Sequence, residues 1–208
     1  LQMLIIHVPL LVALVTGDLV SGEAAMGTLR MMGTKPISRN SFLLSKFLAG
    51  AIYTFFLTLW LAFLSLIVGQ FMFGTGDLIV LNSDGLVIIP EYDIMWRYGL
   101  AFCLAYLSLL SIATMSICFS VFSDNSIGPI VSTMAVIILF TIIGSLDVST
   151  FDYIQPFLIT THMASWRSLF EIPVPYDAIT DSIIILLVHI IGFTLLALWW
   201  FNKKDINT

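Results

Sequence analysis

The sequence predicts an all-α polytopic membrane protein that folds as one helical bundle. Hydrophobic residues make up 59% of its 208 residues, charged residues only 10%, and the mean hydropathy is +1.05. Soluble domains carry about 25% charged and about 45–50% apolar residues. Apolar runs recur along the chain and are separated by polar segments. We therefore expect a single transmembrane domain over residues 1–208.

The apolar runs define the predicted spans. The first run, 1–15, is shorter than the roughly 20 residues that a crossing needs, so we predict a partial span there. Each later run is long enough to cross the bilayer, and together they give four complete spans: 42–68, 96–122, 127–146 and 178–201.

The span 96–122 differs from the others because Ser, Ala, Thr and Cys are frequent in its middle. Small residues let helices approach closely in lipid, so we predict that this span packs in the core of the bundle. Cys103 and Cys118 both fall in it, about 22 Å apart along a helix, which excludes a disulfide between them. We expect both to be buried as small apolar residues.

Polar segments connect the spans. Within 69–95, the alternation around residues 78–89 favours a hairpin with its turn at 82–85. Within 147–177, the semi-apolar stretch 153–170 is too short to span and predicts one or two interfacial or re-entrant helices, ended by Pro173 and Pro175. The remaining polar parts are the segment 17–41 and the tail 202–208.

The distribution of basic residues predicts the orientation. Arg97 and Arg167 are the bases on one side of the predicted spans, and the other side holds six: Arg30, Lys35, Arg39, Lys46, Lys203 and Lys204. The positive-inside rule places the six in the cytoplasm. Four complete crossings separate the segment 17–41 from the tail, and an even number agrees with that placement. We therefore expect a multi-pass protein of the inner (plasma) membrane with external loops at 69–95 and 147–177.

Enzymatic motifs are absent from the sequence. The stretch Gly27–Lys35 superficially resembles a phosphate-binding loop, but five residues separate its glycines and Pro36 occupies the hydroxyl position. We expect no catalytic residue and no metal site. His189 is the clearly intramembrane ionisable residue of the complete spans, and such a residue is by default a functional hypothesis. The candidates for lining a pathway are therefore Ser108, Ser111, Thr114 and His189. Plain helix packing is the commoner role for the three hydroxyl residues, and for His189 the commoner role is a neutral imidazole bonded to a carbonyl of a neighbouring helix.

The segment 17–41 has the composition of a docking surface. Asp18 can cap a short helix running to about Met32, on which Glu23, Met26 and Arg30 would share one face. Gly33 and Pro36 would end that helix, and Ser38 would cap the next one. A solvated loop whose bases touch anionic headgroups explains the same composition equally well.

Four motifs in this region resemble the type-2 ABC exporter permease family: Ser21-Gly22-Glu23, Gly27-Thr28-Leu29-Arg30, Lys35-Pro36-Ile37-Ser38-Arg39 and Leu43-Leu44-Ser45-Lys46-Phe47-Leu48-Ala49. The ending Phe201–Ile206 is similar to the family's tail. Gln155-Pro156-Phe157 with Trp166 resembles the family's external re-entrant segment. The resemblance implies a six-span bundle, with the N-terminal segment and the first span absent from this chain, in which 17–41 is a coupling-helix loop.

The resemblance also implies a mechanism. A separate ATPase dimer, which binds the ATP and Mg²⁺ that this chain does not, would push on the coupling helices of two permease chains. The implied contact residues are Glu23, Met26, Gly27, Thr28, Arg30, Pro36 and Arg39. Expected partners are ABC ATPase subunits, a second permease chain, membrane lipid and external proteins, but no nucleic acid. The alternative is an anchor that recruits an ATPase without transporting anything, and a channel or secondary transporter is a third interpretation.

Overall fold

The structure of the protein, a computed structural model, describes residues 2–29, 38–82, 85–146, 148 and 150–204. Long helices dominate these ranges, and one two-stranded hairpin interrupts them. The helices are α1 (Gln2–Ala25), α2 (Arg39–Phe73), α3 (Glu91–Phe122), α4 (Ile127–Ser145), α5 (Ile159–His162) and α6 (Tyr176–Lys203). The hairpin strands are β1 (Leu78–Asn82) and β2 (Gly85–Ile89).

Five of the helices are long and apolar enough to cross a membrane: His7–Ala25 within α1, and the whole of α2, α3, α4 and α6. This agrees with the prediction of a mostly helical membrane protein. The helices α2, α3 and α6 extend beyond the predicted spans. They continue into flanking polar residues, beginning directly after Ser38, Pro90 and Pro175. Ser38 caps α2 as predicted, because its Oγ accepts a hydrogen bond from the backbone N–H of Ser41 at 3.1 Å.

The predicted break near residue 16 is wrong. α1 continues to Ala25, and Asp18, which we expected to cap a separate helix, lies inside it. The reason is packing, since Thr16 and Val20 are buried in the bundle while Asp18 points outward on the exposed face of the same helix. A helix that already buries one face has no cause to end at a polar residue on the other face.

α3 is the central helix and contacts α1, α2, α4 and α6. Its middle is buried through Ser111, Ile112, Ala113, Thr114, Met115, Ser116, Ile117 and Cys118. This confirms the prediction that the span rich in small residues packs in the core. The prediction for Cys103 is wrong, because Cys103 is exposed and only Cys118 is buried. Cys103 precedes the fully buried stretch and lies on a face of α3 that no neighbouring helix covers.

Hydroxyl groups join α1 to α3. Ser116 Oγ donates to the carbonyl of Ala13 at 3.1 Å, and Ser120 Oγ accepts from the backbone N–H groups of Val20 and Ser21 at 3.2 and 2.8 Å. Gly17 makes this approach possible, since a Cβ there would lie 2.9 Å from Ser116 Oγ. Polar contacts between closely spaced helices are a main source of association in lipid, where apolar faces gain little by pairing.

The two ends of the bundle carry opposite charge. The end at which α1, α3 and α6 finish, here called the basic end, holds Arg39, Lys46, Lys203 and Lys204 among its described residues, with Asp18, Glu23 and Asp124. The other end, here called the acidic end, holds Arg97 and Arg167 against seven described acids: Asp77, Glu91, Asp93, Asp152, Glu171, Asp177 and Asp181.

The hairpin at the acidic end was predicted correctly. β1 and β2 pair antiparallel, with Asn82 opposite Gly85. Residues 83–84, which connect the strands in the predicted turn, lie outside the described ranges. Alternate residues, among them Ile89, pack against α3 and a 3₁₀ helix at Ser165–Phe170. The two-stranded hairpin is the departure from an all-α fold.

The α4–α6 connection contains short helices, as predicted for 153–170. A 3₁₀ turn at Gln155–Phe157, the single-turn α5 and a second 3₁₀ helix at Ser165–Phe170 follow one another. Arg97 fastens this connection to α3. Its guanidinium is 6% exposed, donates to the carbonyls of Leu169 and Glu171 at 2.6 and 3.1 Å, and pairs with Asp93 Oδ2 at 2.7 Å.

We expect Gly50→Leu to destabilise the bundle. A Cβ at Gly50 would lie 2.9 Å from Ile117 Cδ1 and 3.3 Å from Thr16 Cγ2, so a larger side chain forces α2 away from α1 and α3. Overpacking of this kind costs about 1–3 kcal/mol, which thermal unfolding of the purified protein in detergent would register as a lower midpoint. Gly69→Leu is the matched control on the same helix, because nothing lies within 4 Å of its Cβ position. Equal midpoints for the two variants would contradict this account of the packing.

We expect Arg97→Met to release the α4–α6 connection from α3. Removing the buried guanidinium leaves the carbonyls of Leu169 and Glu171 without their donor and takes the cation from Asp93 Oδ2, and an unsatisfied buried carbonyl is costly. Hydrogen–deuterium exchange of the peptide covering 165–175 should increase, whereas Arg167→Met, which changes an exposed arginine at the same end, should leave it unchanged. Unaltered exchange in Arg97→Met would show that Arg97 does not hold the connection.

Candidate functional site

The α1–α2 junction at the basic end brings together most of the residues singled out in the sequence. Glu23 in the last turns of α1 forms an ion pair with Lys46 near the start of α2, through Glu23 Oε1 and Lys46 Nζ. Both side chains are partly covered, with exposed fractions of 30% for Glu23 and 19% for Lys46. Lys46 thus has a carboxylate partner on the adjacent helix.

Met26 is the exposed apolar residue of the junction. Its side chain is 71% accessible and directly follows the end of α1. Gly27 ends the helical path with a φ of 71°, a left-handed value that favours glycine. Thr28 Oγ1 then donates to the carbonyl of Glu23 at 3.0 Å, and Leu29 is buried again. The turn therefore presents Met26 outward while its two flanks are held by the protein.

The helix predicted to run to about Met32 ends at Ala25, so Met26 lies beyond the end of α1 and not on a helical face with Glu23. Arg30 and Pro36, like Lys35 and Gly33, lie outside the described residues. Of the seven residues that the resemblance implied, Glu23, Met26, Gly27 and Thr28 are neighbours in the structure. Arg39 lies at the start of α2 and faces the end of α6 instead.

Arg39 closes the C-terminal end of α6. Its Nη1 donates to the carbonyls of Lys204, Asn202 and Phe201 at 2.8, 3.3 and 3.4 Å. Asn202 Nδ2 adds a bond to Asn40 Oδ1 at 2.7 Å. The last carbonyls of a helix lack intrahelical donors and carry the negative end of its dipole, so a guanidinium satisfies both needs.

Lys204 makes the equivalent bond to α3. Its Nζ donates to the carbonyl of Val121 at 3.2 Å and pairs with Asp124 Oδ1 at 2.7 Å in the turn before α4. In the sequence, Lys204 stood out only as a basic residue that favours one orientation and as part of the tail Phe201–Ile206. Its position just beyond the aromatic residues Trp199 and Trp200 could have predicted this contact, because a lysine there is in reach of the ends of neighbouring helices.

These bonds form one connected arrangement, the basic-end network, made by Glu23, Arg39, Lys46, Asp124 and Lys204. Glu23–Lys46 joins α1 to α2, Arg39 joins α2 to α6, and Lys204 joins α6 to α3. The ends of α1, α2, α6 and α3 are thus joined one after another by polar contacts between side chains and helix ends.

The four candidates for lining a pathway each bond to their own helix. Ser108, Ser111 and Thr114 are buried and donate to the carbonyls of Leu104, Ser108 and Ser111 at 2.7 to 2.9 Å. His189 Nδ1 lies 2.8 Å from the carbonyl of Ile185, one turn earlier in α6, and not against a neighbouring helix as we expected. The four residues thus have local partners, and a role in a pathway stays a prediction.

Comparison with known proteins places the chain in a family. No solved structure matches it significantly. "Uncharacterized protein YhcI" of Bacillus subtilis (strain 168) is 25% identical over 199 residues, which cover 93% of this chain and 63% of that protein's length. The chain thus spans less than two thirds of this curated relative. The family described as "Protein of unknown function (DUF2705)" matches residues 1–207. Because that match covers nearly every residue, the chain belongs to the DUF2705 family.

Proposed function

We propose that this chain is a permease subunit of an ATP-driven ABC transporter, moved by a separate ATPase that acts on its α1–α2 junction. The observation that carries the proposal is the exposed Met26, held in a fixed turn beside the Glu23–Lys46 ion pair. An accessible apolar side chain flanked by charged groups is the composition of a small docking point. The resemblance of Gly27–Arg30 and its neighbouring motifs to the type-2 exporter permeases supports the same function.

The proposed mechanism uses the basic-end network as a lever. Closure of an ATPase dimer on ATP would press on the turn at Met26 and move the ends of α1 and α2 together, because Glu23 and Lys46 join them. Arg39 and Lys204 would carry that movement to α6 and α3. Rocking of the bundle would then open a path for the substrate. Such a transition needs two packings of the helices that differ by only a few kcal/mol.

The proposal includes an orientation and an assembly. The basic end faces the cytoplasm, as the positive-inside rule favours, so the protein is a multi-pass protein of the inner (plasma) membrane. In the full assembly, two permease chains with six-span exporter-type bundles would each present one such turn to an ATPase subunit. ATP and Mg²⁺ belong to the ATPase.

Site-specific crosslinking tests the contact directly. A photoreactive amino acid replaces Met26 in the membrane-embedded protein, and a second variant carries it at Tyr153, which is 84% exposed at the acidic end. Mass spectrometry then identifies the adducts. We expect a protein with a nucleotide-hydrolysing domain at position 26 and none at 153. The proposal would be overturned if no such protein is crosslinked at position 26, or if it is crosslinked equally at positions 26 and 153.

A charge swap separates the intrachain role of Glu23 from direct contact with an ATPase. Glu23→Lys and Lys46→Glu each place like charges together at the junction, so each should uncouple ATP hydrolysis from transport in a reconstituted complex. The double variant restores an opposite-charge pair, and we expect it to recover most of the coupling. Partly covered pairs of this kind contribute about 1 kcal/mol, so the effect on thermal stability should be small.

The result of the double variant decides between two mechanisms. Recovery of coupling shows that the bond between α1 and α2 is what the ATPase acts through. If both single variants uncouple and the double variant does not recover, Glu23 binds the ATPase itself. Full coupling in both single variants would refute a role for this ion pair. An anchor that moves nothing would show no substrate-stimulated ATP hydrolysis even in the unaltered complex.

A further inference from the structure

The α4–α6 connection and the start of α6 line an open cavity of about 640 Å³ at the acidic end. Cavities of 300–1,000 Å³ are the size that small organic ligands occupy in proteins. One part of its wall is charged, through Arg167, Glu171 and Asp181, and another part is aliphatic, through Ile184 and Ile185. The cavity is therefore amphipathic along its length.

The depth of the cavity in the bilayer follows from α6. Trp199 and Trp200 mark one membrane interface, where such aromatic residues are enriched. A hydrocarbon core of about 30 Å takes up about 20 helical residues, which places its other boundary near residue 180. Ile184 and Ile185 then lie at the level of the acyl chains. Glu171 and Arg167, on the connection outside α6, lie on the headgroup side.

Hydrogen bonds fix the part of the cavity wall that lies between the headgroup level and the acyl-chain level. His162 lies with Nε2 2.7 Å from the carbonyl of Pro156 and Nδ1 2.9 Å from Ser182 Oγ, which joins the connection to α6. Ser165 also lines the cavity, and its Oγ is enclosed without a hydrogen-bond partner among the described residues. A buried hydroxyl without a partner is costly, and a polar group of a bound molecule would relieve that cost.

We propose that this cavity binds a membrane lipid with a phosphoethanolamine headgroup. Arg167 supplies the cation that pairs with a phosphate, and Glu171 and Asp181 supply carboxylates for the ammonium group. An anionic lipid without an ammonium group leaves both carboxylates without a cation and adds its own negative charge beside them. The site therefore discriminates against such a lipid. The upper part of an acyl chain follows Ile184 and Ile185. This inference concerns the isolated chain and stands independently of the proposed function.

Native mass spectrometry tests the site on the full chain. The protein is purified, equilibrated with equal amounts of phosphatidylethanolamine and phosphatidylglycerol, and partly delipidated before the retained lipids are counted. We expect about fivefold preferential retention of phosphatidylethanolamine, as one or two partly exposed charge contacts provide. The double variant Glu171→Gln/Asp181→Asn should lose the preference. Arg167→Gln should reduce retention of both lipids.

Two controls keep the outcome interpretable. Asp152→Asn removes an exposed acid of the same connection that does not line the cavity, and it should leave the preference unchanged. Circular dichroism establishes that each variant is folded. Soluble phosphoethanolamine at the same concentration should not displace the lipid, because it lacks the acyl chain. Equal retention of the two lipids by the unaltered protein, equal effects of Asp152→Asn and the double variant, or displacement by the soluble headgroup would overturn the proposal.

Discussion

The close contact of α1 with α3 is the constraint on which the rest of the structure depends. Lipid offers helices no hydrophobic gain from pairing with one another, so association requires small residues and polar bonds. Gly17 provides the space, and Ser116 and Ser120 provide bonds to the backbone of α1. The other helices then pack around α3, which contacts all four of the other long helices that the structure describes.

The two ends of the bundle are fastened differently. At the acidic end, the buried guanidinium of Arg97 joins the α4–α6 connection to α3. It donates hydrogen bonds to the carbonyl of Leu169 and to the carboxylate of Asp93. At the basic end, partly exposed lysines and arginines join helix ends to one another, with bonds that water can replace. Exposed ion pairs are individually weak, so the basic end can rearrange at small cost while the acidic end resists change. That asymmetry agrees with the proposal that an ATPase acts on the basic end.

Hydrophobic runs, small-residue content and the alternation at 78–89 were enough to predict four of the five long helices, the central position of α3 and the hairpin. They failed at Asp18, because a local capping signal competes with packing that only the folded bundle reveals. They failed at Cys103 because small residues indicate a packed helix without indicating which of its faces is covered. The pairings Glu23–Lys46 and Arg39 with the end of α6 join residues far apart in sequence, and spacing alone cannot supply such pairs. The amphipathic cavity had no signal in the sequence, since its wall is assembled from a connection and a helix.

The length of α2 has a consequence for the bilayer around the protein. Its 35 residues measure about 52 Å, well beyond a hydrocarbon core of about 30 Å. At a tilt of about 40°, the upper end of what is observed for membrane helices, α2 would span about 40 Å along the bilayer normal. That height exceeds the hydrocarbon core by about 10 Å, which would lie in the two headgroup layers. Phe71 and Phe73 are the final exposed aromatic residues of α2, and in a membrane-crossing α2 they would lie at the headgroup level, where aromatic rings are enriched. A thick bilayer would then accommodate this helix with less distortion than a thin one.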